Sequence, residues 1–488
     1  MRASDPGSSA VAAELTGRRA NGASKDSTAT TILHEKRRNW TEMNNHKTIR
    51  DLEKEYPSIP WLDYINTILA PSFGVTRDQS IWVLVPSYMR ELEELLKKTP
   101  KRTLANYALW RIVQSSISYL SNQIRERQLQ YNSLLTGRTK RQPRWKECTK
   151  TVTDTLPISV GSLYVRRHFD KKAKESAEKM VQDIHREFVK VLNEVDWMDP
   201  KTREAAIFKA ESITSHVAYP DELLNDTLIN DYYADLDLTR GSFLWNSLKV
   251  GFFLRSKIYH KLKEPVEKYH WSTYSETADV NAFYSPNENA LQIPAGILQG
   301  ALFNSERPNY MNYGAIGSMV GHEITHGFDD EGSQFDAKGN TKNWWEDASK
   351  DEFIKKVQCI IDQANNYTVL GTSRNVNGKN TQGENVADNG GIKVAYRAYN
   401  AKEIREGKEP RLYRLEKYTP RQLFWISYAQ TWCGKMKPEA LNHIITTNEH
   451  SPADFRVNGP VSNMIEFAQD FKCSSNSTMV RQNRCTVW

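Results

Sequence analysis

Hydrophobic residues spaced three and four apart dominate the first half of the chain. This spacing occurs at residues 90–98 and over a longer segment at residues 177–192, and it places apolar side chains on one face of a helix. Asp199 followed by Pro200 is typical of a helix start, with the aspartate as cap and the proline in the first turn. Residues 46–218 are therefore predicted to be mainly helical.

The pattern of apolar positions becomes mixed after residue 219. Short segments near 280–284 and 290–293 predict strands, and helical spacing returns after them. No internal repeat is visible, and no apolar run approaches the ~18 residues that a membrane span requires. We expect a mainly α fold with small β elements, divided into a helical lobe at 46–218 and a second lobe at 219–488.

The composition is that of a folded protein with a distinct amino-terminal segment. The 488 residues are 39% hydrophobic and include 13 Trp and 22 Tyr, which suffices for two or three packed domains. Residues 1–45 are of low complexity, rich in Ser, Ala, Gly and Arg up to about residue 29, and we predict that they are disordered. They lack the apolar stretch of a signal peptide.

Basic residues outnumber acidic ones and cluster at one place. The formal net charge is +7, and residues 138–146 contain five Lys or Arg, which a nucleic-acid-binding surface would also show. No recognisable nucleic-acid-binding module accompanies the cluster. We interpret it as a solvated loop and expect no nucleic-acid partner.

The segment His322-Glu323-Ile324-Thr325-His326 carries the clearest chemical information. On a helix, residues four apart lie on one face with Cβ atoms about 5–6 Å apart, so two imidazoles can bind one Zn²⁺. The glutamate after the first histidine is then placed to act as general base. The motif predicts a catalytic zinc site, provided that a third ligand exists.

Two glutamates are candidates for the third ligand. A third histidine of the extended motif is excluded, because the required Gly and His positions are occupied by Asp329 and Gly332. Glu346 is followed four residues later by Lys350, whose charge is unfavourable beside a dication. Glu384 is followed four residues later by Asp388, which could orient a ligand imidazole from the same helix face. We favour Glu384 and keep Glu346 as the alternative.

Several blocks together resemble the neprilysin family of zinc endopeptidases, which includes the endothelin-converting enzymes. They are GHEITHGFDD at 321–330, GENVADNGG at 383–391, VNAFY at 280–284 and the terminal CTVW. The resemblance extends from about residue 46 to the end and is weaker at WLDY (61–64) and ANYALWR (105–111). It implies a zincin-like catalytic lobe that faces the helical lobe across a chamber admitting peptides.

The resemblance implies a role for each residue of a zinc site with one Zn²⁺ per chain. The ligands would be His322, His326 and Glu384, and Glu323 would take a proton from zinc-bound water and pass it to the leaving amine. Asp388 and Asp329 would orient the ligand histidines; a loop cluster after a helix end remains the alternative for Asp329.

Further roles also follow only from the resemblance. His450 would be the donor to the transition-state oxyanion, and Arg456 would contact the substrate backbone; from spacing alone they would be a loop residue and a surface charge. Substrate hydrogen bonds would be made by Asn281 and Ala282. Hydrophobic residues matching the substrate pocket are Ile297, Met319 and Trp432, for which a plain core position is the alternative. Such a pocket would favour cleavage before bulky hydrophobic residues.

The chain has five cysteines, so at least one cannot pair within it. The resemblance pairs Cys359 with Cys485. It pairs Cys148, Cys433 and Cys473 with cysteines of an amino-terminal region that has no counterpart here, and it therefore suggests a truncated chain. Four glycosylation sequons, at Asn39, Asn225, Asn366 and Asn476, fit an extracellular or cell-surface ectodomain.

Two functions remain open at this point. The first is zinc-dependent hydrolysis of oligopeptides outside the cytosol. The second is a truncated, non-catalytic fragment that binds peptides or partners. The intact Glu323 favours catalysis, because a binding fragment has no use for the base, whereas the missing disulfide partners favour the fragment.

Overall fold

The computed structural model describes residues 38–488 and is mainly helical. Its strands are β1 (His46–Thr48), β2 (Ser80–Trp82), β3 (Thr214–Ala218), β4 (Phe283–Ser285) and β5 (Ala290–Pro294). The helices up to the middle of the chain are α1 (Trp40–Met43), α2 (Ile49–Glu55), α3 (Trp61–Leu69), α4 (Pro86–Lys98), α5 (Lys101–Ser116), α6 (Asn122–Thr136), α7 (Arg144–Thr155), α8 (Pro157–His168), α9 (Lys171–Glu194), α10 (Pro200–Glu211), α11 (Asp226–Tyr232) and α12 (Phe243–His260). The later helices are α13 (Asn309–Asn312), α14 (Ser318–His326), α15 (Asp347–Asn365), α16 (Gln382–Glu406), α17 (Pro420–Thr431), α18 (Pro438–Thr447), α19 (Ala453–Ser462) and α20 (Ile465–Asp470).

The predicted mainly α fold with small β elements is confirmed. The helical spacing at 90–98 falls within α4 and that at 177–192 within α9. Asp199 caps α10 by accepting hydrogen bonds from the amides of Lys201 and Thr202, both at 2.9 Å. The strand expected at 280–284 begins later, at Phe283, because only from there does the backbone pair with β5.

The main core lies in the carboxyl-terminal part and includes the long helix α9. Helices α9, α14 and α16 pack on one another and share a single buried hydrophobic cluster. Beside them lies a three-stranded sheet of order β3-β5-β4, in which β3 is parallel and β4 antiparallel to β5. Because α9, α10 and β3 belong to this core, we propose that the catalytic lobe begins near residue 171 rather than at 219.

The helical lobe has less buried apolar surface. A small cluster is formed around Ile49 and Leu52 of α2, under the antiparallel pair of β1 and β2. Helix α5 buries none of its residues and leaves Leu109, Trp110 and Ile112 more than half exposed. Among residues 38–488, no helix has the length and apolar content to span a lipid bilayer.

The expectation of disorder over residues 1–45 is wrong for its last eight residues. Arg38 and Trp40 pack against the loop that follows α14, and α1 begins at Trp40. The guanidinium of Arg38 lies 2.8 Å from the Asp330 carboxylate, and this ion pair anchors the segment. The rest of the expectation, residues 1–37, lies outside the described residues.

One disulfide ties the carboxyl terminus to the main core. Cys359 on α15 is bonded to Cys485, 126 residues later in the sequence. Within the described part of the chain, Cys148, Cys433 and Cys473 have free thiols. The terminal Trp488 then packs among Phe188, Trp197, Phe328 and Phe353, so the crosslink also fixes the aromatic cluster beneath the loop after α14.

Removing this crosslink should lower stability. We expect Cys359→Ala/Cys485→Ala to lose about 2–5 kcal/mol of unfolding free energy, because a long loop of the unfolded chain regains its freedom. Denaturant unfolding of the two proteins measures this loss. Cys433→Ala, which removes an exposed free thiol, is the control and should not change the midpoint. Equal midpoints for all three proteins would contradict the expectation.

Candidate active site

Two helices pack against each other in the main core. Helix α14 carries the His322–His326 motif, and α16 carries Glu384 and Asp388. The backbones meet at two glycines: an added Cβ on Gly321 would lie 2.6 Å from the Gly391 carbonyl oxygen, and one on Gly391 would lie 2.6 Å from the His322 amide nitrogen. Any larger side chain would force the helices apart, so the glycines set the distance between the two sets of polar residues.

Three side chains from these helices converge on one point. The Nε2 atoms of His322 and His326 are 2.9 Å apart. The Glu384 carboxylate lies 3.2 Å from the first and 3.7 Å from the second. Two imidazoles and one carboxylate with their ligand atoms within 4.8 Å of one another form the donor set of a catalytic Zn²⁺ site. The residues present therefore fit the expected metal.

A second carboxylate holds the outer nitrogen of each histidine. Asp329 Oδ2 lies 2.7 Å from His326 Nδ1, and Asp388 Oδ1 lies 2.9 Å from His322 Nδ1. Both carboxylates are buried. With Nδ1 engaged in each ring, both Nε2 atoms are directed towards Glu384, which is the arrangement that metal-binding histidines require.

Arg456 is buried and engaged by Asp388 rather than exposed. Its Nε and Nη2 groups donate to the two Asp388 oxygens at 2.8 and 2.7 Å, and its guanidinium lies 3.9 Å from the centre of the Trp432 ring. Burial would raise the pKa of Asp388, but the charge of Arg456 outweighs it and lowers this pKa. Asp388 therefore stays ionised beside His322, where it can stabilise the orientation of the ring.

Charges around Glu384 keep it ionised as well. Burial would raise its pKa, but the neighbouring His326 and His450 hold the pKa well below the ordinary range. Burial lowers the pKa of His326, yet Glu384 and Asp329 outweigh it and raise that pKa to about 10. These side chains thus attract positive charge, which is the electrostatic requirement for binding a dication.

His450 borders the same site from the loop before α19. Its Nε2 lies 3.2 Å from Glu384 Oε2, and 43% of its side chain is exposed. Asn448 fixes the residue through contacts of 2.8 and 3.0 Å between its Oδ1 and the His450 amide and Nδ1. Ser451 ties the loop to α16 through Asn385 at 2.7 Å. A polar ring group is thereby held at the open side of the three convergent side chains.

Glu323 is buried but not engaged. It is 8% exposed, and no hydrogen bond or ion pair within residues 38–488 involves its carboxylate. Both carboxylate oxygens can therefore accept a proton from a bound reactant. This is the environment that a general base needs.

The residues expected to bind substrate lie at different depths. Asn281 is exposed and Ala282 is buried, and both precede β4, which packs beside α14. Met319 and Trp432 are half-buried at the edge of the main core, whereas Ile297 is only 3% exposed. Ile297 thus offers little surface to a ligand in this conformation.

Glu346, the alternative third ligand, does not join the histidines. It precedes α15 and forms an ion pair with Lys201, and 47% of its side chain is exposed. The group of potential metal ligands that contains both histidines of the motif is completed by Glu384, the residue favoured from the sequence.

Sequence reasoning missed two cations beside the site, the buried Lys209 and the mostly buried Arg38. Arg38 binds Asp330 and the Asn380 carbonyl, at 2.8 and 2.7 Å, and so connects the loop after α14 to the loop before α16. Gln382 also donates to Asp330, at 2.6 Å. Lys209 on α10 contacts the same loop after α14. Nothing in the local sequence marks either cation, because both contacts join distant parts of the chain.

Sequence comparisons agree with this geometry. Two models described as Peptidase family M13 match residues 23–220 and 281–487, and the first match begins inside the segment that we expected to lie outside the family. The chain is 47% identical to neprilysin-2 of Drosophila melanogaster over 466 residues, covering 93% of this chain and 60% of that protein. It is 36% identical to membrane metallo-endopeptidase-like 1 of Mus musculus, covering 94% and 60%. The chain thus spans about 60% of the length of these curated relatives.

Solved structures give the same result. The zinc metalloprotease Zmp1 of Mycobacterium tuberculosis, solved with an inhibitor, superimposes with a TM-score of 0.84 at 27% identity, covering all of this chain and 75% of Zmp1. PepO of Lactobacillus rhamnosis superimposes with a TM-score of 0.77 at 25% identity, covering 97% and 73%. Together, the matched family models, the curated relatives and the zincin-like fold show that the chain belongs to peptidase family M13.

Proposed function

We propose that this chain is a zinc-dependent endopeptidase that hydrolyses oligopeptides. The observation that carries the proposal is the convergence of His322, His326 and Glu384 beside an unengaged Glu323. A bound Zn²⁺ would polarise the scissile carbonyl and make water a better nucleophile. Family M13 and the metallo-endopeptidase relative support this assignment.

Side chains around the site would carry out proton transfer, stabilise the oxyanion and orient the zinc ligands. Glu323 takes a proton from the attacking water and delivers it to the leaving amine. His450 lies at the open side of the site and donates to the oxyanion that develops on the former carbonyl. Asp329 and Asp388 keep the ligand imidazoles in place throughout.

Substrate binding uses the rim of the cleft. Asn281 and Ala282, just before the sheet-edge strand β4, would bond to an extended peptide. The Arg456 nitrogen not engaged by Asp388, Nη1, would contact a substrate carbonyl. Trp432 and Met319 provide apolar surface beside the site, and Ile297 backs it from the core. We propose that this surface binds a bulky hydrophobic residue on the carboxyl side of the cleaved bond.

The location of the protein is also proposed. Three of the four sequons, at Asn225, Asn366 and Asn476, have exposed side chains, as attachment of a glycan requires. The disulfide Cys359–Cys485 suits an oxidising compartment. We propose an extracellular or cell-surface ectodomain.

A single peptide series tests this function. Quenched fluorescent peptides that differ only in the residue after the scissile bond should be cleaved fastest with Phe or Leu and slowest with Asp. Cleavage should stop with a zinc chelator and return with added Zn²⁺. Equal rates for Phe and Asp would contradict the proposed pocket, and cleavage indifferent to the chelator would contradict the zinc mechanism.

One observation favours the alternative, a fragment that binds without turnover. Helix α5 exposes Leu109, Trp110 and Ile112, a face that a partner would cover favourably. Zinc at one ion per chain, without cleavage of any peptide in the series, would support that alternative.

A further inference from the structure

Lys209 is the most deeply buried lysine among the described residues. Its side chain is 1% exposed, although lysine is rarely buried without a partner. No carboxylate lies within ion-pair distance of its ammonium among residues 38–488. A charged group in such a place needs compensation from dipoles or aromatic faces.

Three backbone carbonyls supply that compensation. The ammonium donates to the carbonyls of Gly327, Gly332 and Phe335 at 2.6, 2.7 and 2.8 Å, which uses all three of its donors. The ring centres of Phe328 and Trp344 lie 5.3 and 5.8 Å away. One side chain from α10 thus binds three backbone carbonyls of the loop that follows α14.

The same loop carries the carboxylate that holds His326. Asp329 Oδ2 lies 2.7 Å from His326 Nδ1, and Asp329 Oδ1 accepts from the Glu331 and Gly332 amides at 2.8 and 2.7 Å. Both backbone groups of Gly332 are therefore held: its N–H donates to Asp329, and its C=O accepts from Lys209. Without the ammonium, three buried carbonyls would lose their partner and the turn that aims Asp329 would lose its anchor.

We propose that Lys209 is a positioning residue for the metal site: it fixes residues 327–335 so that Asp329 holds the His326 ring in its ligating orientation. The inference rests on the proposed zinc function. Burial lowers the pKa of Lys209 to about 7, and a neutral amine would still offer two donors. All three carbonyls are matched only by the charged form, which has three donors.

Zinc affinity, measured by competition with a chromophoric chelator, tests the proposal on the full chain. Lys209→Met keeps the length of the side chain and removes its donors. We expect it to weaken zinc binding about 10–100-fold, as loss of a partner behind a ligand does. The matched control is Lys174→Met, which removes another ammonium that donates to a backbone carbonyl, that of Tyr219 at 2.9 Å. It should leave the affinity unchanged.

A double-mutant cycle separates positioning from general stabilisation. If Lys209 acts through Asp329, then Lys209→Met/Asp329→Asn should bind zinc no more weakly than Asp329→Asn alone. Independent structural effects would instead multiply. Cobalt substitution adds a spectroscopic measure: the absorption bands of the Co²⁺ form should shift alike in both single variants. Multiplying effects or unlike spectra would overturn the proposal.

Two further outcomes are distinguishable. If Lys209→Met does not fold, Lys209→Arg, which keeps several donors, enters the same cycle and should show the same non-additivity; additive losses would overturn the proposal. If the unaltered chain binds no zinc, the proposed function itself fails. If the unaltered chain binds zinc and Lys209→Met binds it equally well, only the role of Lys209 fails.

Discussion

Replacing Glu323 by glutamine should lower kcat about 10²–10⁴-fold, the usual contribution of a general base, while zinc remains bound at one ion per chain. Glutamine preserves the size of the side chain but cannot accept the proton of the attacking water. Because Glu323 has no hydrogen bond or ion pair to lose within residues 38–488, the substitution should not disturb the fold. Peptide hydrolysis, metal analysis and thermal unfolding of the two proteins measure the three effects.

The combination of kcat, bound zinc and thermal unfolding shows which role of Glu323 is lost. An unchanged kcat would remove Glu323 from the mechanism. Loss of zinc together with activity would show that the residue supports the metal site and would leave its role as base unsupported. Retained zinc and unchanged unfolding, with kcat reduced, would isolate proton transfer as the step that fails.

Replacing Glu384 by alanine should weaken zinc binding by more than about 100-fold, because even loss of a partner behind a ligand costs 10–100-fold. Two imidazoles cannot hold Zn²⁺ as three ligands do, and the pair of histidines also loses the negative charge that lies 3.2 and 3.7 Å from their nitrogens. Activity at low zinc concentration should disappear. Competition with a chelator measures the affinity.

The matched control is Glu346→Ala. Each variant removes a glutamate that the sequence alone allowed as the third zinc ligand. Glu346, however, is paired with Lys201 at the surface. Zinc binding should be unchanged in this control. The assignment would be reversed if Glu346→Ala released zinc and Glu384→Ala retained it.

Features with local causes were predictable. Helical spacing placed α4 and α9 correctly, because a helix repeats its face within one or two turns. The two histidines and Glu323 lie on α14 because their spacing of four residues matches one turn. The same spacing of four residues between Glu384 and Asp388 led us to favour Glu384 as the third ligand. The strand start at Phe283 was missed because pairing with β5, and not the residue pattern, decides where β4 begins.

Long-range packing escaped prediction. The lobe boundary near 218 was drawn where the residue pattern changes, whereas α9 and α10 fold onto the later part of the chain. The role of Arg456 towards substrate stays a prediction, but its pairing with Asp388 through two nitrogens was not foreseen. Arg38 was placed in a disordered segment, but it anchors the loop after α14 through Asp330.

By itself the sequence determined which groups come together: two imidazoles and a carboxylate on one helix, with acidic partners on another. These choices depend on neighbours within one helical turn, and local geometry fixes them. Only the tertiary structure decided how that chemistry is held in place. Lys209 and Arg38 would ordinarily be solvated, since burying a charge is costly. Both lose most of their contact with water because carbonyls and a carboxylate from distant parts of the chain surround them, and that compensation exists only once the chain has folded.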